Sequence, residues 1–301
     1  MGDEQVDLDL SIILPAYNEE LALGDDLDDV RRAMVATNYR YEIIVVDDGS
    51  SDATARIARE REWVRLIQHP YNRGNGAART TGVRQAHGRV IAFSDADRTY
   101  PVDQIPTMMA MMDAGADMVI GARKVEAGTM RWLRMPAKLL VRKLAEFMTG
   151  TKIPDLNSGL RMQRRDLTMR FLPILPTTHS WVSTITIAFL SASYTVQWLP
   201  IDYYPRVGRS TFHPVRDTYN YLMLCVRTVM YFNPLKIFLP LALALLFGGT
   251  AKYVFYDIIW RFNPSWGLPS MPATTLALIV TGLQVLVIGL LADLIVRRTV
   301  L

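Results

Sequence analysis

The chain holds 301 residues with a formal charge of +4, and half of them are hydrophobic. That length gives one large domain or two small ones. The lone cysteine, Cys225, excludes an intrachain disulfide framework and a multi-cysteine zinc site, and reads as a small apolar packing residue.

The charge is unevenly spread. From Gly121 to Lys236 there are 17 Lys and Arg against 6 Asp and Glu. Such an excess ahead of an apolar segment suits an anionic membrane surface or a phosphate-rich substrate better than nucleic acid. Met1–Asp9 is acidic and lacks the basic and apolar regions of a secretory signal, so the catalytic part is expected in the cytoplasm.

Leu10 to Leu14 is a short apolar run ended by Pro15, which predicts a buried parallel strand. Glu19 to Ala36 predicts a helix, with Leu21, Leu27, Val30 and Met34 on its apolar face. Tyr41 to Val46 is a second strand that stops at Asp47-Asp48-Gly49-Ser50, followed by a helix over 52–61 capped by Ser51 or Asp52. Val64 to His69 and Val90 to Ser94 are strands flanking a helix over 76–86. Pro101 to Ala114 is helical, its methionines at 108, 109, 111 and 112 reading as packing residues, and Met118 to Gly121 is a fifth strand. Strands alternating with helices predict a parallel sheet covered on both faces.

Arg134 to Thr149 predicts an amphipathic helix, with Leu139, Leu140, Leu144 and Phe147 opposing Lys138, Arg142 and Lys143, that lies in a membrane interface. The Tyr-rich stretch from Pro214 to Phe232 leads toward the bilayer. Ile237–Tyr256 and Ala273–Ala292 each reach the roughly 20 residues needed to span hydrocarbon. Lys252 sits where it can snorkel, beside a belt of Tyr253, Phe255, Tyr256 and Trp260. Arg227, Lys236, Arg297 and Arg298 flank the opposite ends, which places both termini in the cytoplasm.

In a doubly wound sheet, ligands bind at the carboxyl ends of strands. Here three strands end in polar residues: Pro15 to Glu19, Asp47 to Ser50, and Asp95-Ala96-Asp97. Carboxylates gathered in one cleft repel one another. A divalent cation shared with a diphosphate relieves that, because Mg²⁺ takes one or two carboxylates and leaves its other positions to phosphate oxygens and water.

The segments LPAYNEE, VVDDGSSDAT, NRGNGAAR, SDAD and DLNSGLR, in this order, resemble the family 2 glycosyltransferases of GT-A fold, and within them the polyprenyl-phosphate sugar transferases. The resemblance covers about residues 10–211 and, with the apolar tail, extends to the end. It implies a GT-A-type doubly wound, mostly parallel sheet over 1–213, a juxtamembrane helix over 214–236 and a two-span transmembrane hairpin over 237–301. It implies inverting transfer of a sugar from a UDP- or GDP-sugar to a polyprenyl phosphate, with Mg²⁺ or Mn²⁺ as cofactor, at the cytoplasmic face of the cell membrane. The partners are then the nucleotide-sugar, the lipid phosphate and the bilayer, with no nucleic acid; a homo-oligomer is left open.

Residue by residue, the resemblance assigns Pro15, Tyr17, Glu19 and Ala96 to the donor, with Val46 and Asp48 at the positions that hold its nucleoside. Asp97 and Asp95 match the metal and ribose ligands, and Arg123 and Arg206 match groups over the diphosphate. Arg134 and Lys138 match the basic pair for the acceptor phosphate, while Asp155, Ser158 and Gly159 match the element that closes the site, Ser158 toward the acceptor. Two positions depart from the pattern: Thr99 stands where Gln is frequent, and Thr211 replaces a terminal Lys. The lipid phosphate is already an anion, so no strong base is required, and His69, His87, His179 and His213 read as structural. A processive synthase lacks its Gln-x-x-Arg-Trp element here, and the glycines at 74 and 76 do not open the chain as a dinucleotide fingerprint does. A membrane scaffold or sugar-binding subunit that keeps the transferase fold is the non-enzymatic alternative.

Overall fold

The computed structural model describes residues 8–124, 142–143, 145–147, 149–178, 180–206, 234–255 and 271–300, the last four as backbone only. The chain divides into two units, Met1–Leu224 and Cys225–Leu301.

The first unit is built on a seven-stranded sheet of order β3-β2-β1-β4-β6-β5-β7. All seven residues of β1 (Leu10–Ala16) are buried, as a central strand covered on both faces requires. It pairs in parallel with β2 (Tyr41–Asp47) on one side and β4 (Val90–Phe93) on the other. β3 (Val64–Gln68) forms the outer edge beside β2. The chain therefore runs outward from β1 to β3 and returns across β1 to β4. This reversal opens a crevice at the carboxyl ends of β1 and β4.

Helix α1 (Leu23–Val35) buries Leu23, Leu27, Val30 and Met34, at the spacing that lines one helical face, together with Asp26. The helix starts at Leu23 rather than Glu19. Asn18 has a φ of 54°, and the amides of Asn18, Glu19 and Glu20 donate to Ser50, Thr54 and Asp52 instead of starting a helix. Helix α2 (Thr54–Arg59) is shorter than expected for the same reason, since Asp52 is used in that turn. Helix α3 (Asn75–Gln85) joins β3 to β4, and α4 (Ile105–Asp113) follows β4 after a short 3-10 turn. Met108, Met109 and Met112 of α4 are buried in the core, as packing residues.

The strand β5 (Met118–Arg123) is followed by elements that the apolar pattern did not announce. β6 (Arg161–Arg164) lies antiparallel between β4 and β5, so the sheet is mixed rather than wholly parallel. Arg161, its first residue, pairs with Phe93 and with Ile120. The antiparallel direction thus brings the segment before Arg161 to the same edge as the end of β4. Helices α5 (Arg165–Phe171) and α6 (Trp181–Ser191) and the edge strand β7 (Val196–Ile201), parallel to β5, complete the unit.

In the second unit, α7 (Leu235–Ala251) and α8 (Ala273–Val300) pack on each other. Leu235–Phe255 and Ala273–Val296 are long and apolar enough to cross a membrane, and little of either is buried. Leu243, Phe247, Leu283 and Leu290 are among many exposed apolar side chains there, a surface that lipid tails cover without cost. At Gly289 the helices approach so closely that a Cβ would lie 2.6 Å from Phe238 Cβ. Lys252 Nζ donates to Thr275 Oγ1 at 2.8 Å, so this cation is bonded within the hairpin.

The expected amphipathic helix is described only near its end, where residues 142–143, 145–147 and 149 are helical. Arg134 and Lys138, residues 214–233 of the helix expected over 214–236, and Gly208 to Thr211 lie outside the described residues, while Leu235 and Lys236 belong to α7.

Candidate active site

The crevice gathers side chains from β1, β4, β5, the turn before β6 and the segment after β7. Glu19 follows β1, Asp95 and Asp97 follow β4, Arg123 ends β5, and Arg206 follows β7. Arg206 Nη2 bonds Glu19 Oε1, and its Nε lies 3.5 Å from Asp97 Oδ2. One guanidinium thus bridges two carboxylates.

Asp97 is 7% exposed. Burial first, and the charge of Asp95 second, hold its carboxyl above the usual range. Burial, opposed by Arg206 and reinforced by Asp97 and Asp95, pushes Glu19 up to about 7. These mutually repelling carboxylates fit a divalent cation: Asp95 and Asp97 can supply one or two oxygens, leaving positions for phosphate and water. Thr99, at the position where Gln was expected, is fully buried and turns back on Asp97. Its hydroxyl donates to Asp97 Oδ1 at 2.5 Å and its amide at 3.2 Å.

Asp95 is held from behind. Arg79, buried on α3, donates from Nη2 to Asp95 Oδ1 at 2.6 Å and from Nε to Asn75 Oδ1 at 2.7 Å. Its guanidinium lies over the Phe93 ring, and its Nη1 makes no hydrogen bond to the described residues. Gly159 sits against the other carboxylate oxygen: a Cβ there would be 2.3 Å from Asp95 Oδ2. Only glycine permits that approach. The Gly159 amide donates to the buried Tyr100 hydroxyl at 2.7 Å.

Arg123 is clamped rather than extended. Asp155 accepts from its Nε at 2.7 Å and its Nη2 at 3.0 Å, and Tyr203 lies beneath the guanidinium. Burial alone would raise the Asp155 carboxyl, but the hydrogen bond and charge of Arg123 outweigh it and hold the group below its usual range. Ser158 is fully enclosed and its hydroxyl makes no hydrogen bond to the described residues. Contact with an acceptor phosphate therefore requires the segment around it to move. Arg161, also fully buried, donates from Nε and Nη2 to the Ser158 carbonyl and from Nη1 to Val182 O and Thr186 Oγ1, tying this segment to α6.

At the end of β2, Val46 is buried and pairs with Pro15 and Ile67. Ala96 is likewise buried, while Tyr17 is exposed at the rim. Asp48 is 2% exposed and accepts from the amides of Arg73 and Gly74 and from His69 Nδ1. Thr99, Arg79, Arg161 and His69 were not assigned to the site from sequence. Arg79 had a signal, because it lies one turn after Asn75 within the NRGNGAAR segment.

Residues 11–172 match the model of glycosyl transferase family 2, and residues 233–297 match that of the GtrB C-terminal hairpin. The dodecaprenyl-phosphate galacturonate synthase of Rhizobium johnstonii is 27% identical over 98% of this chain and 90% of its own. The dolichyl-phosphate hexose transferase of Haloferax volcanii is 32% identical over 68% of this chain and 87% of its own. The undecaprenyl-phosphate 4-deoxy-4-formamido-L-arabinose transferase of Pseudomonas fluorescens is 28% identical, covering 94% and 84%. The fold is also that of glucosyl-3-phosphoglycerate synthase from Mycobacterium tuberculosis, solved with Mn²⁺, UDP-glucose and phosphoglyceric acid. That match has a TM-score of 0.57 at 20% identity and covers 73% of this chain and 80% of the other.

Proposed function

Because the chain belongs to glycosyl transferase family 2, we propose that it transfers a sugar from a UDP- or GDP-sugar to a polyprenyl phosphate at the cytoplasmic membrane face. The observation that carries this reading is the convergence of Glu19, Asp97 and Arg206 at the switch point of the sheet, in a chain that also carries an apolar hairpin. Three relatives that span most of this chain carry names of polyprenyl- or dolichyl-phosphate transferases, which supports the acceptor class.

Asp97, with Asp95, holds a divalent cation, Mg²⁺ or Mn²⁺; the Mn²⁺ and UDP-glucose of the structural neighbour support this choice. When bound, the cation offsets charge on the diphosphate as the leaving group departs. Pro15, Tyr17, Glu19, Val46, Asp48 and Ala96 receive the donor, and Thr99 and Arg79 fix the two aspartates in place. Arg206 moves from the carboxylates to the diphosphate, and Arg123, held in place by Asp155, adds positive charge there. Arg134, Lys138 and Ser158 receive the acceptor phosphate.

In the reaction, a phosphate oxygen of the lipid attacks the anomeric carbon. The new carbon–oxygen bond forms as the bond to the nucleoside diphosphate breaks, and in-line displacement inverts that carbon. The hairpin anchors the enzyme beside its lipid substrate, with residues 1–213 as the catalytic part, 214–236 at the interface and 237–301 in the bilayer.

The test is direct. Purified protein in detergent is incubated with undecaprenyl phosphate, Mg²⁺ and a panel of radiolabelled UDP- and GDP-sugars. Label extracted into the lipid phase is expected for one donor; none for any donor overturns the reading.

A further inference from the structure

His69 was expected to be structural, and sits directly after β3 with only 7% of its surface exposed. It touches two elements at once. Its Nδ1 is 2.6 Å from Asp48 Oδ1 and its Nε2 is 2.9 Å from Thr81 Oγ1 on α3. A carboxylate only accepts, so Nδ1 carries the hydrogen; in the neutral ring Nε2 then accepts from the Thr81 hydroxyl. The amide of Arg73 also donates to Asp48 Oδ1, at 2.9 Å, and that of Gly74 to Oδ2, at 2.8 Å.

These bonds divide the carboxylate unequally. A carboxylate has about four acceptor positions. Oδ1 takes the imidazole and the Arg73 amide, whereas among the described residues Oδ2 takes one donor, the Gly74 amide, of the about two it can accept. Without the imidazole, Oδ1 would be under-satisfied in a buried place, and only the two backbone amides would hold the carboxylate against turning. Such a turn would exchange the atoms that face a ligand. The loop cannot relax easily to compensate, because the backbone of Tyr71 and Asn72 lies against Gly49, where a Cβ would meet Tyr71 C at 2.6 Å.

We infer that His69 is a positioning residue for the base of the sugar-nucleotide donor, holding Asp48 so that Oδ2 accepts an N–H from that base. The inference rests on the donor reading above and concerns one end of that site. It makes the base, and not the diphosphate, sensitive to a side chain that never touches the ligand. It also restricts the donor to bases that present an N–H at that edge.

The experiment measures equilibrium binding of UDP, GDP and inorganic pyrophosphate to the full-length protein in detergent with Mg²⁺. His69→Leu is expected to weaken the preferred nucleoside diphosphate about tenfold, a factor typical of one lost polar contact, and to leave pyrophosphate binding unchanged. His69→Asn, whose amide occupies the place of Nδ1–H, should stay within about twofold of the parent. His69→Gln, which mimics the other ring nitrogen, should behave like His69→Leu. If the Leu variant does not purify folded, Thr81→Val, which removes only the Nε2 partner, carries the same comparison with an expected loss of about threefold. Equal losses for nucleotide and pyrophosphate, or no loss for either, overturn the inference while leaving the transferase reading intact. Failure of the parent protein to bind any nucleoside diphosphate would overturn both.

Discussion

The hydroxyl of Thr99 donates to Asp97 Oδ1 at 2.5 Å from two residues further along the chain. It thereby occupies one carboxylate oxygen and leaves the other toward Arg206 and a cation. Thr99→Val keeps the shape and removes the bond. It should lower kcat about tenfold and raise the Mg²⁺ concentration needed for half-maximal rate. Asp97→Ala should cost at least about 100-fold, the order of loss when one key electrostatic stabiliser is removed. A Thr99→Val enzyme with the parent's Mg²⁺ dependence would show that the hydroxyl is packing only.

The turn after Asp97 carries a pH signature. Arg98 has a φ of 60°, and its amide donates to Asp26 Oδ2 at 3.0 Å. Burial, opposed by that hydrogen bond and reinforced by the charge of Asp97, pushes the Asp26 carboxyl up from 3.8 to about 7. The folded state therefore binds the proton more tightly than the unfolded chain. This contribution to stability is complete below about pH 4 and is lost as pH rises through 7. Asp26→Asn retains an oxygen for the Arg98 amide and removes the charge. It should raise the unfolding free energy at pH 8 by an amount on the order of 1–3 kcal/mol and change it little at pH 4. An equal effect at both pH values would contradict the assignment.

Much of this site is readable without coordinates, for a physical reason. Leu10–Leu14 and Val90–Phe93 are apolar runs that stop abruptly at polar residues, so the carboxyl ends of β1 and β4 announce themselves. β6 does not, because its sequence Arg-Met-Gln-Arg buries Arg161 and Gln163 in a sheet interior, against every period-two expectation. Helix α6 is also silent: nine of its 11 residues are buried, so it has no polar face to mark a helical period. Thr99, Arg79 and His69 act through partners that only the folded chain brings near. The start of α1 was placed four residues early because Asn18, Glu19 and Glu20 bond to the turn after β2, a tertiary demand that overrides local helix preference.

The Arg123–Asp155 pair supplies a test of clamp against simple charge. Both side chains are almost wholly buried, and the fork is bidentate. Asp155→Ala removes the bidentate partner of a buried guanidinium and should destabilise the protein by about 3–5 kcal/mol. Adding Arg123→Met should restore most of that stability, because the buried charge that Asp155 offset is gone. Activity should not return, and donor KM should stay raised. Thermal midpoints and donor kinetics for the two variants decide it; recovery of turnover in the double variant would remove Arg123 from donor binding.

The proposed topology of the hairpin, with both ends cytoplasmic, rests on its flanks. Arg227, Lys236, Arg297 and Arg298 lie at the ends away from the connector over 257–272. Alkaline phosphatase fused after Leu301 should be inactive, and the same reporter placed in the connector should be active. The opposite pattern would put the catalytic part on the wrong side of the membrane for a cytoplasmic donor.

The acceptor end of the reaction is the last to test. Arg134 and Lys138 lie four residues apart, a spacing that in a helix lets both reach one phosphate. Arg142 and Lys143 share the same basic stretch, and Lys143 already pairs with Glu146 at 2.8 Å on the surface. If the first two receive the lipid phosphate, Arg134→Ala should raise KM for undecaprenyl phosphate about tenfold or more and leave donor KM nearly unchanged, since it removes a charge-assisted contact to one substrate only. Arg142→Ala should then have little effect on either constant. A merely basic face makes a different prediction. There the two substitutions would weaken membrane association equally, by about 1 kcal/mol each, and the loss would shrink in vesicles lacking anionic lipid. Kinetics with varied lipid phosphate, run in neutral and in anionic vesicles, separate the two cases. Equal effects of Arg134→Ala and Arg142→Ala would remove the phosphate-binding role from Arg134 and leave the segment as a membrane-facing helix.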